Sequence, residues 1–417
     1  MSKLSKITTL FRPIKRCLTS QEDQELINSF RETTKSIVEK INSHVLSYEK
    51  AGKAPLHEIF KTLGNAGLLG ISMPEKYGGL NLPYSINMAV AEEIGGIDNG
   101  SLPMAIGVQT DMATPALAEH GSEALCEEFL VPSIKGDIVG CIGVSEPHAG
   151  SDVSAIKTEA SLSDDGTEYI INGGKIWTTN VTQADWMCCL CNTEEDVENV
   201  YKNKSLIIIP LKKSDGTRAA GITISSHQME KMGMRASDWG QTYFDNVRVP
   251  VGNLVGTPGM GFIYQMEQFQ KERLVAAMIV LRPLERLISE TSSYCADRKI
   301  FGKSLLDQQH VQFKLAAMSV EVQLYKDSLW RTLEKLDAGE NVVREASMLK
   351  YKLGQLTQEI PNTCLQFHGA QGYLFDSYVN RMMRDLRSSS IGGGADEVML
   401  QVIAKLEGFD RSTKDRK

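Results

Sequence analysis

The sequence lacks long apolar runs, a surplus of basic residues and a dense set of cysteines, and each absence excludes a class of protein. The densest apolar run, residues 205–211, is far shorter than the ~20 residues that cross a bilayer, so no transmembrane segment is expected. Forty-five basic residues against 52 acidic ones give a formal net charge of −7, which argues against a nucleic-acid partner. Eight cysteines in 417 residues are too few for a disulfide scaffold.

The closely spaced cysteines also lack the pattern of a metal site. Cys188, Cys189 and Cys191 lie on one strand-like stretch, and no matching pair of ligands stands elsewhere in the chain. We therefore interpret them as reduced thiols of a protein core and predict no metal site.

The composition that remains is that of an ordinary globular protein. The chain is 42% hydrophobic and 23% charged, which excludes collagen-like, low-complexity and wholly disordered classes. Its 417 residues exceed what one compact core usually holds, so two or three domains are expected.

The first 20 residues differ from the rest of the chain. They contain five basic residues, no acidic residue and six serines or threonines, and their apolar residues fall at helical spacing. The basic residues are Lys3, Lys6, Arg12, Lys15 and Arg16. This combination is typical of a mitochondrial transit peptide and predicts a protein of the mitochondrial matrix. The alternative interpretation is a frayed basic tail.

Hydrophobic spacing divides the chain after the predicted transit peptide into three segments and a tail. Residues 21–138 have helical periodicity, residues 139–256 contain strand-like runs separated by turn residues, and residues 257–411 return to the helical period. Residues 412–417 form a tail. The predicted fold class is mainly α with a central antiparallel β domain between two helical domains.

Apolar seams support the helical segments, and one dipeptide suggests a hairpin. In the first segment Leu26, Phe30, Ile37 and Ile41 are spaced by four, seven and four residues. The last segment has two longer seams, which predict a helix bundle. They comprise Val311, Leu315, Met318, Val322, Tyr325, Leu329, Leu333 and Leu336, and then Ala346, Leu349, Leu353, Leu356 and Ile360.

In the middle segment Asn172-Gly173 joins two strand-like runs and predicts a β-hairpin turn.

Two stretches of the middle segment have residues suited to ligand binding. Residues 144–152 form a loop of small and hydroxyl residues, whose backbone N–H groups could approach a polar or anionic ligand. Trp177-Thr178-Thr179 places an aromatic plane beside two hydroxyls, which could flank a flat heterocycle. By themselves these residues fit an ordinary connecting loop and a core tryptophan better than they fit a ligand site.

Taken together in order and spacing, these stretches resemble the acyl-CoA dehydrogenases over residues 21–408. The matching stretches are residues 67–70 (GLLG), 74–79, 144–152, 171–180, 231–235 (KMGMR), 245–250, 298–303 (RKIFGK) and 366–369 (QFHG). The resemblance implies a helical domain, a β domain and a second helical domain, which agrees with the segmentation above.

The resemblance implies FAD bound between the β domain and the C-terminal bundle, with acyl-CoA on its other face. The residues that match the family's flavin contacts within one subunit are Ile142, Gly143, Val144, Ser145, Glu146, Pro147, His148, Ala149, Gly150, Ser151, Trp177, Thr178 and Thr179. Those that match contacts from the adjacent subunit are Arg298, Gln309, Gln366, Phe367, His368, Gly369 and Ala370, and Ala395, Asp396 and Glu397 complete the site. Two residues depart from the family: His148 replaces a usual Gly, and Ala395 a usual Thr.

The reaction that the resemblance implies requires a carboxylate that removes the proton α to a thioester. In most of the family this base lies in the turn that corresponds to residues 391–394, where this chain has Gly393. The long-chain and isovaleryl types instead have the base on a helix in a Glu-Arg-Leu stretch, which is Glu272-Arg273-Leu274 here. Glu272 is therefore the predicted catalytic base. The predicted substrate-binding residues are Ser151, Gln270, Lys271, Arg273, Gly393 and Gly394.

The resemblance thus predicts an FAD-dependent acyl-CoA dehydrogenase of fatty acid β-oxidation that acts on straight, medium-to-long acyl chains. Electrons would pass to an electron-transferring flavoprotein, and a homotetramer is expected. An isovaleryl-type dehydrogenase of amino-acid breakdown is one alternative, and an oxygen-using relative is a second. A scaffold that has lost flavin and catalysis is a third.

Overall fold

The structure is a computed structural model that describes residues 21–193, 199–225 and 229–409. The predicted transit peptide, residues 1–20, and the predicted tail, residues 412–417, lie outside the described residues.

The N-terminal segment is helical, as its periodicity predicts. Its helices are α1 (Gln21–Asn42), α2 (Val45–Ala51), α3 (Leu56–Asn65), α4 (Tyr84–Ile94), α5 (Ser101–Gly107), α6 (Pro115–His120), α7 (Glu123–Leu125) and α8 (Val131–Ile134). Two π-helical segments, Val108–Ala113 and Cys126–Leu130, interrupt the later helices. Ile37 and Ile41 of α1 are buried, but Leu26 is 36% exposed and Ile27 has the buried position instead.

The middle segment forms one eight-stranded sheet. Its strands are β1 (Gly140–Gly143), β2 (Glu159–Leu162), β3 (Glu168–Thr179), β4 (Trp186–Asn192), β5 (Lys204–Pro210), β6 (Ile222–Ile224), β7 (Trp239–Pro250) and β8 (Leu254–Val255). The strand order is β6-β7-β3-β2-β4-β5-β8, and β1 pairs with β4. Neighbours are antiparallel except that β4 pairs in parallel with β1 and, at Asn192, with Glu159 at the start of β2.

Burial of β4 on both faces explains the cysteine-rich stretch. Residues 186–191 of β4 are all buried, which is expected for a central strand covered on both sides. Cys188, Cys189 and Cys191 are free thiols inside the core, which confirms their interpretation from the sequence. Among the described residues, no group of three or more side chains could hold a metal ion.

The predicted hairpin turn at Asn172-Gly173 is wrong. Strand β3 continues through this dipeptide, and the register shifts because Ile171 pairs with Val247 while Gly173 pairs with Phe244. The result is a bulge within a long strand pair. Glycine is needed at position 173 because its φ is 129° and a Cβ there would lie 2.8 Å from the Thr158 Cα.

The C-terminal segment is a helix bundle with one short hairpin. Its elements are α9 (Gly261–Met278), α10 (Leu281–Asp297), β9 (Lys299–Ile300), β10 (Lys303–Ser304), α11 (Gln309–Asp337), α12 (Val343–His368), α13 (Ala370–Tyr373), α14 (Tyr378–Leu386) and α15 (Asp396–Leu406). The predicted seams on α11 and α12 are buried, apart from Leu336, which is partly buried. This agreement confirms the bundle.

Helix α9 lies where the three segments meet. It packs against the π-helical segment Val108–Ala113 and helix α4 of the N-terminal segment, against β5 of the sheet and against α12 of the bundle. A side chain on α9 can therefore be buried by all three segments at once. None of the described helices combines the length and apolarity needed to cross a membrane.

Candidate active site

Glu272 is a buried carboxylate held by its own helix. Gln265, Gln268 and Glu272 recur at intervals of three and four along α9, so they share one helix face. Gln265 Nε2 donates to Glu272 Oε1 at 3.1 Å, and Gln268 Nε2 donates to the same oxygen at 2.9 Å. Gln268 is itself fixed, because its Oε1 accepts the Ala116 N–H at 3.2 Å. The carboxylate is thus oriented before any substrate arrives.

Burial makes Glu272 a stronger base than an ordinary glutamate. Burial raises the pKa of Glu272 to about 7, although the hydrogen bond from Gln268, the charge of Arg273 and the hydrogen bond from Gln265 act in the opposite direction. The sequence left open whether burial or Arg273 dominates, and the structure shows that burial does. Arg273 Nη1 donates to Ser347 Oγ at 3.2 Å, and burial lowers the pKa of this guanidinium.

The glycine turn at residues 391–394 contains no carboxylate but is fixed by a lysine. Gly393 and Gly394 have φ values of 63° and 101°, which L side chains rarely adopt. Lys350 Nζ donates to the carbonyls of Ser389 at 2.5 Å and of Gly394 at 2.9 Å. Burial lowers the pKa of Lys350 to about 8. The turn can therefore present backbone groups in a fixed position, while a proton acceptor must come from elsewhere.

The predicted flavin loop is anchored by a buried ion pair. Lys175 Nζ, on β3, lies 2.8 Å from Glu146 Oε1, and both side chains are buried. The Glu146 carboxylate also accepts the N–H groups of Lys157 at 2.7 Å and Thr158 at 2.9 Å. The Glu146 side chain is therefore directed inward, and it fixes the loop that contains the more exposed Ser145, Pro147, His148, Gly150 and Ser151.

Trp177 and Thr178 are arranged to contact a flat ligand with a polar edge. Trp177 has a φ of 61° and remains 53% exposed, an unusual combination for a tryptophan within a strand. Its ring packs edge-on against Trp239. Thr178 Oγ1 is buried and has no hydrogen-bond partner within the described protein, and Thr179 is partly buried beside it. An exposed aromatic plane next to an unsatisfied hydroxyl fits a heterocycle such as a flavin.

The remaining predicted flavin contacts form two further groups. Arg298 ends α10, and Tyr294 of that helix stacks on His368 at the end of α12, with 4.3 Å between ring centroids. The His310 ring contacts the Phe367 ring edge-on, so the start of α11 lies beside the end of α12. This group comprises Arg298, Gln309, Gln366, Phe367, His368, Gly369 and Ala370, and the charged and amide side chains among them are exposed.

The third group lies at the start of α15. Asp396 packs against Gly354, since a Cβ at Gly354 would lie 2.1 Å from Asp396 Oδ1. Burial raises the pKa of Asp396, and the positive charge of Lys350 opposes this rise. Glu397 is exposed in the first turn, and Ala395 provides no side-chain cap. The structure therefore connects Asp396 with the glycine turn through Lys350.

The predicted substrate residues Gln270 and Lys271, which precede Glu272 on α9, line a cavity. The cavity has a volume of about 180 Å³ and is also lined by Pro115, Ala116, Glu119, His120, Tyr264, Glu267, Gln268 and Leu336. Lys271 Nζ pairs with Glu119 Oε1 at 2.5 Å across it. Ser151 and His148 lie elsewhere, on the flavin loop, where His148 Nε2 is 3.5 Å from Glu146 Oε2.

Sequence reasoning missed several residues around Glu272. Gln265 and Gln268 could have been found, because they precede Glu272 by seven and four residues on a helix. Lys350 had no signal, since its position within a long amphipathic helix gives no indication that it reaches a turn some 40 residues later. The other missed groups are Tyr84 and Asp111, which come from the N-terminal segment.

All three segments of the chain match known domains. Residues 20–137, 141–247 and 259–407 match the N-terminal, middle and C-terminal domains of acyl-CoA dehydrogenases. The chain is 31% identical to the long-chain specific acyl-CoA dehydrogenase, mitochondrial, of Mus musculus over 94% of this chain and 87% of that protein. It is 29% identical to the isovaleryl-CoA dehydrogenase, mitochondrial, of Pongo abelii over 85% and 82%. The solved acyl-CoA dehydrogenase of Geobacillus kaustophilus has 32% identity and a TM-score of 0.86, covering 93% of this chain and 98% of that one.

Proposed function

Because the chain belongs to the acyl-CoA dehydrogenase family, whose members are FAD-dependent oxidoreductases acting on CH–CH groups, we propose that it oxidises straight, medium-to-long acyl-CoA thioesters to trans-2-enoyl-CoA. The observation that carries the proposal is the buried carboxylate of Glu272 on α9, in a chain whose glycine turn has no side chain at Gly393. That arrangement is the one expected of the long-chain and isovaleryl types.

The protein groups have separate tasks in this reaction. Glu272 takes the proton α to the thioester, and its pKa of about 7 suits a base that must accept a weakly acidic proton near neutral pH. The Gly393 N–H donates to the thioester carbonyl as negative charge develops there. When bound, FAD supplies the acceptor for the hydride that leaves the β carbon. Trp177, Thr178 and Thr179 would hold the flavin ring, and the loop of residues 144–151 would hold its polar edge.

We further propose that the enzyme belongs to fatty acid β-oxidation in the mitochondrial matrix and passes electrons to an electron-transferring flavoprotein. The acid-free basic segment at residues 1–20 supports this location. Cell fractionation tests it, because a signal confined to the cytosol would contradict the proposed compartment.

Turnover across a series of acyl-CoA substrates, from butyryl to stearoyl and including isovaleryl, tests the substrate class. We expect kcat/KM to be highest for a straight chain of medium or long length. A maximum at isovaleryl-CoA would support the branched short-chain alternative instead. A purified protein that binds no FAD would favour the inactive scaffold.

A further inference from the structure

A second buried carboxylate, Asp111, lies in the π-helical segment Val108–Ala113 and is surrounded by hydrogen-bond donors. Tyr84 Oη donates to Asp111 Oδ1 at 2.8 Å, and Asn87 Nδ2 donates to the same oxygen at 3.0 Å. Thr110 Oγ1 lies 2.6 Å from Oδ2. Burial raises the pKa of Asp111, but the hydrogen bonds from Thr110, Tyr84 and Asn87 and the charge of Lys271 oppose this rise and favour the ionised form. Single π-helical turns are rare in proteins overall, and those that occur are often found at functional sites.

Two chains of contacts connect Asp111 with the catalytic base. Tyr84 Oη also lies 3.3 Å from the main-chain carbonyl of the residue that precedes Glu272. On the other side, Met112, the residue after Asp111, offers its carbonyl to Gln268 Nε2, the amide that also donates to Glu272. The two carboxylates therefore belong to one buried hydrogen-bonded unit formed by α4, the π-helical segment and α9.

We propose that Asp111, held by Tyr84 and Asn87, is a positioning residue whose buried negative charge makes Glu272 a stronger base. The inference rests on the proposed function, because it concerns proton removal by Glu272. In this interpretation the N-terminal segment provides part of the base's electrostatic environment as well as a wall of the site.

The charges around Glu272 agree with this role. Burial is the main cause of the raised pKa of Glu272, and the Asp111 charge adds to it, whereas Arg273 opposes it. The titratable groups that face this unit are Asp111, Tyr84 from α4, Lys271 and Arg273 from α9, Cys188 from β4, and Asp337 from α11. Burial holds the pKa of the Cys188 thiol far above its ordinary range, so this group stays neutral. Asp111 is therefore the carboxylate whose charge acts against ionisation of Glu272.

The test is the pH profile of flavin reduction by limiting acyl-CoA in the holoenzyme. At limiting substrate the acid limb reports the base in the free enzyme. Asp111→Asn keeps the side-chain volume but removes the charge, so we expect the acid limb to move to lower pH and the plateau rate to fall several-fold. Tyr84→Phe removes one donor from Asp111 and makes its ionised form less stable, so we expect a smaller shift in the same direction. Tyr84→Phe also tests the proposal by itself if Asp111→Asn fails to fold.

Asp337→Asn is the matched control. Asp337 is also a carboxylate near Tyr84, but it accepts the N–H groups of Tyr84 at 2.9 Å and Ser85 at 3.3 Å at the start of α4. This variant should keep the wild-type acid limb. A uniform loss of rate in Asp111→Asn without movement of the limb would mean a merely structural role and would overturn the proposal. A wild-type holoenzyme whose flavin is not reduced by any acyl-CoA would instead overturn the proposed function.

Discussion

At the scale of single residues, the proton affinity of Glu272 is set by groups that come from different parts of the chain. Burial raises its pKa, and Gln265, Gln268 and Arg273 on the same helix limit the rise. The sequence predicted Glu272 as the base through the family's Glu-Arg-Leu stretch and through the missing side chain at Gly393. It could not identify Asp111, because nothing local to a buried carboxylate shows which distant residue it will approach.

Gln268 lowers the pKa of Glu272, the proposed base, whereas Asp111 raises it. Gln268→Met has a similar volume but removes the hydrogen bond that favours ionised Glu272, so the pKa of Glu272 should rise above about 7. Because the base must be ionised to act, the acid limb of the rate profile should move to higher pH. Stopped-flow flavin reduction across pH measures this shift. A limb that moves to lower pH would show that Gln268 does not stabilise the ionised carboxylate.

At the scale of secondary-structure elements, the flavin loop depends on strand β3. The hairpin predicted at Asn172-Gly173 would have divided this strand, but the structure continues it to Thr179. Along this strand the Lys175 side chain is buried and the Trp177 side chain is exposed. Local turn propensity gave the wrong answer here because the close approach of Thr158, a tertiary contact, is what requires glycine at position 173.

The Glu146–Lys175 ion pair should be essential for the shape of this loop. Burial alone would raise the pKa of Glu146, but Lys175 and the amides of Lys157 and Thr158 outweigh it and hold the pKa below its ordinary value. Lys175→Met leaves a buried charge unpaired, so we expect a loss of about 3–5 kcal/mol in the free energy of unfolding.

Denaturant unfolding and the absorbance of retained flavin measure the effect of Lys175→Met. Adding Glu146→Gln removes the unpaired charge, so the double variant should be more stable than Lys175→Met alone. A single variant with wild-type stability would contradict the anchoring role. Since the folded pKa of Glu146 is lowered, the contribution of the pair is present above the unfolded pKa and is lost as pH falls through the folded pKa.

At the scale of the whole molecule, the three-segment architecture was predictable while the assembly of the site was not. Periodicity found the helical, β and helical segments, because apolar seams on α11 and α12 reflect burial directly. The convergence of α4, a π-helical segment and α9 on Glu272 depends on long-range packing that periodicity does not report. The Arg298 and Gln366 side chains are exposed on the single subunit, which agrees with the contact to an adjacent subunit's FAD that the family resemblance implies.

Arg298 should connect flavin retention with subunit assembly. It is exposed at the end of α10, and the family resemblance places its counterpart on the adjacent subunit's FAD. Arg298→Ala should therefore lower both the FAD content and the oligomer size on a sizing column. Lys213→Ala, which removes an exposed cation from a β-domain loop, is the matched control and should change neither. An active, FAD-saturated Arg298→Ala monomer would contradict the proposed intersubunit role.

The most direct measurement is the rate of flavin reduction after Glu272→Gln holoenzyme is mixed anaerobically with acyl-CoA. The amide keeps the size of the side chain but cannot take the α proton, and positioned general bases contribute ~10²–10⁴-fold to rates. We predict a loss of at least about 10²-fold, with FAD content and acyl-CoA binding unchanged. Reduction at nearly the wild-type rate would show that another group removes the proton and would contradict the assignment of Glu272 as the base.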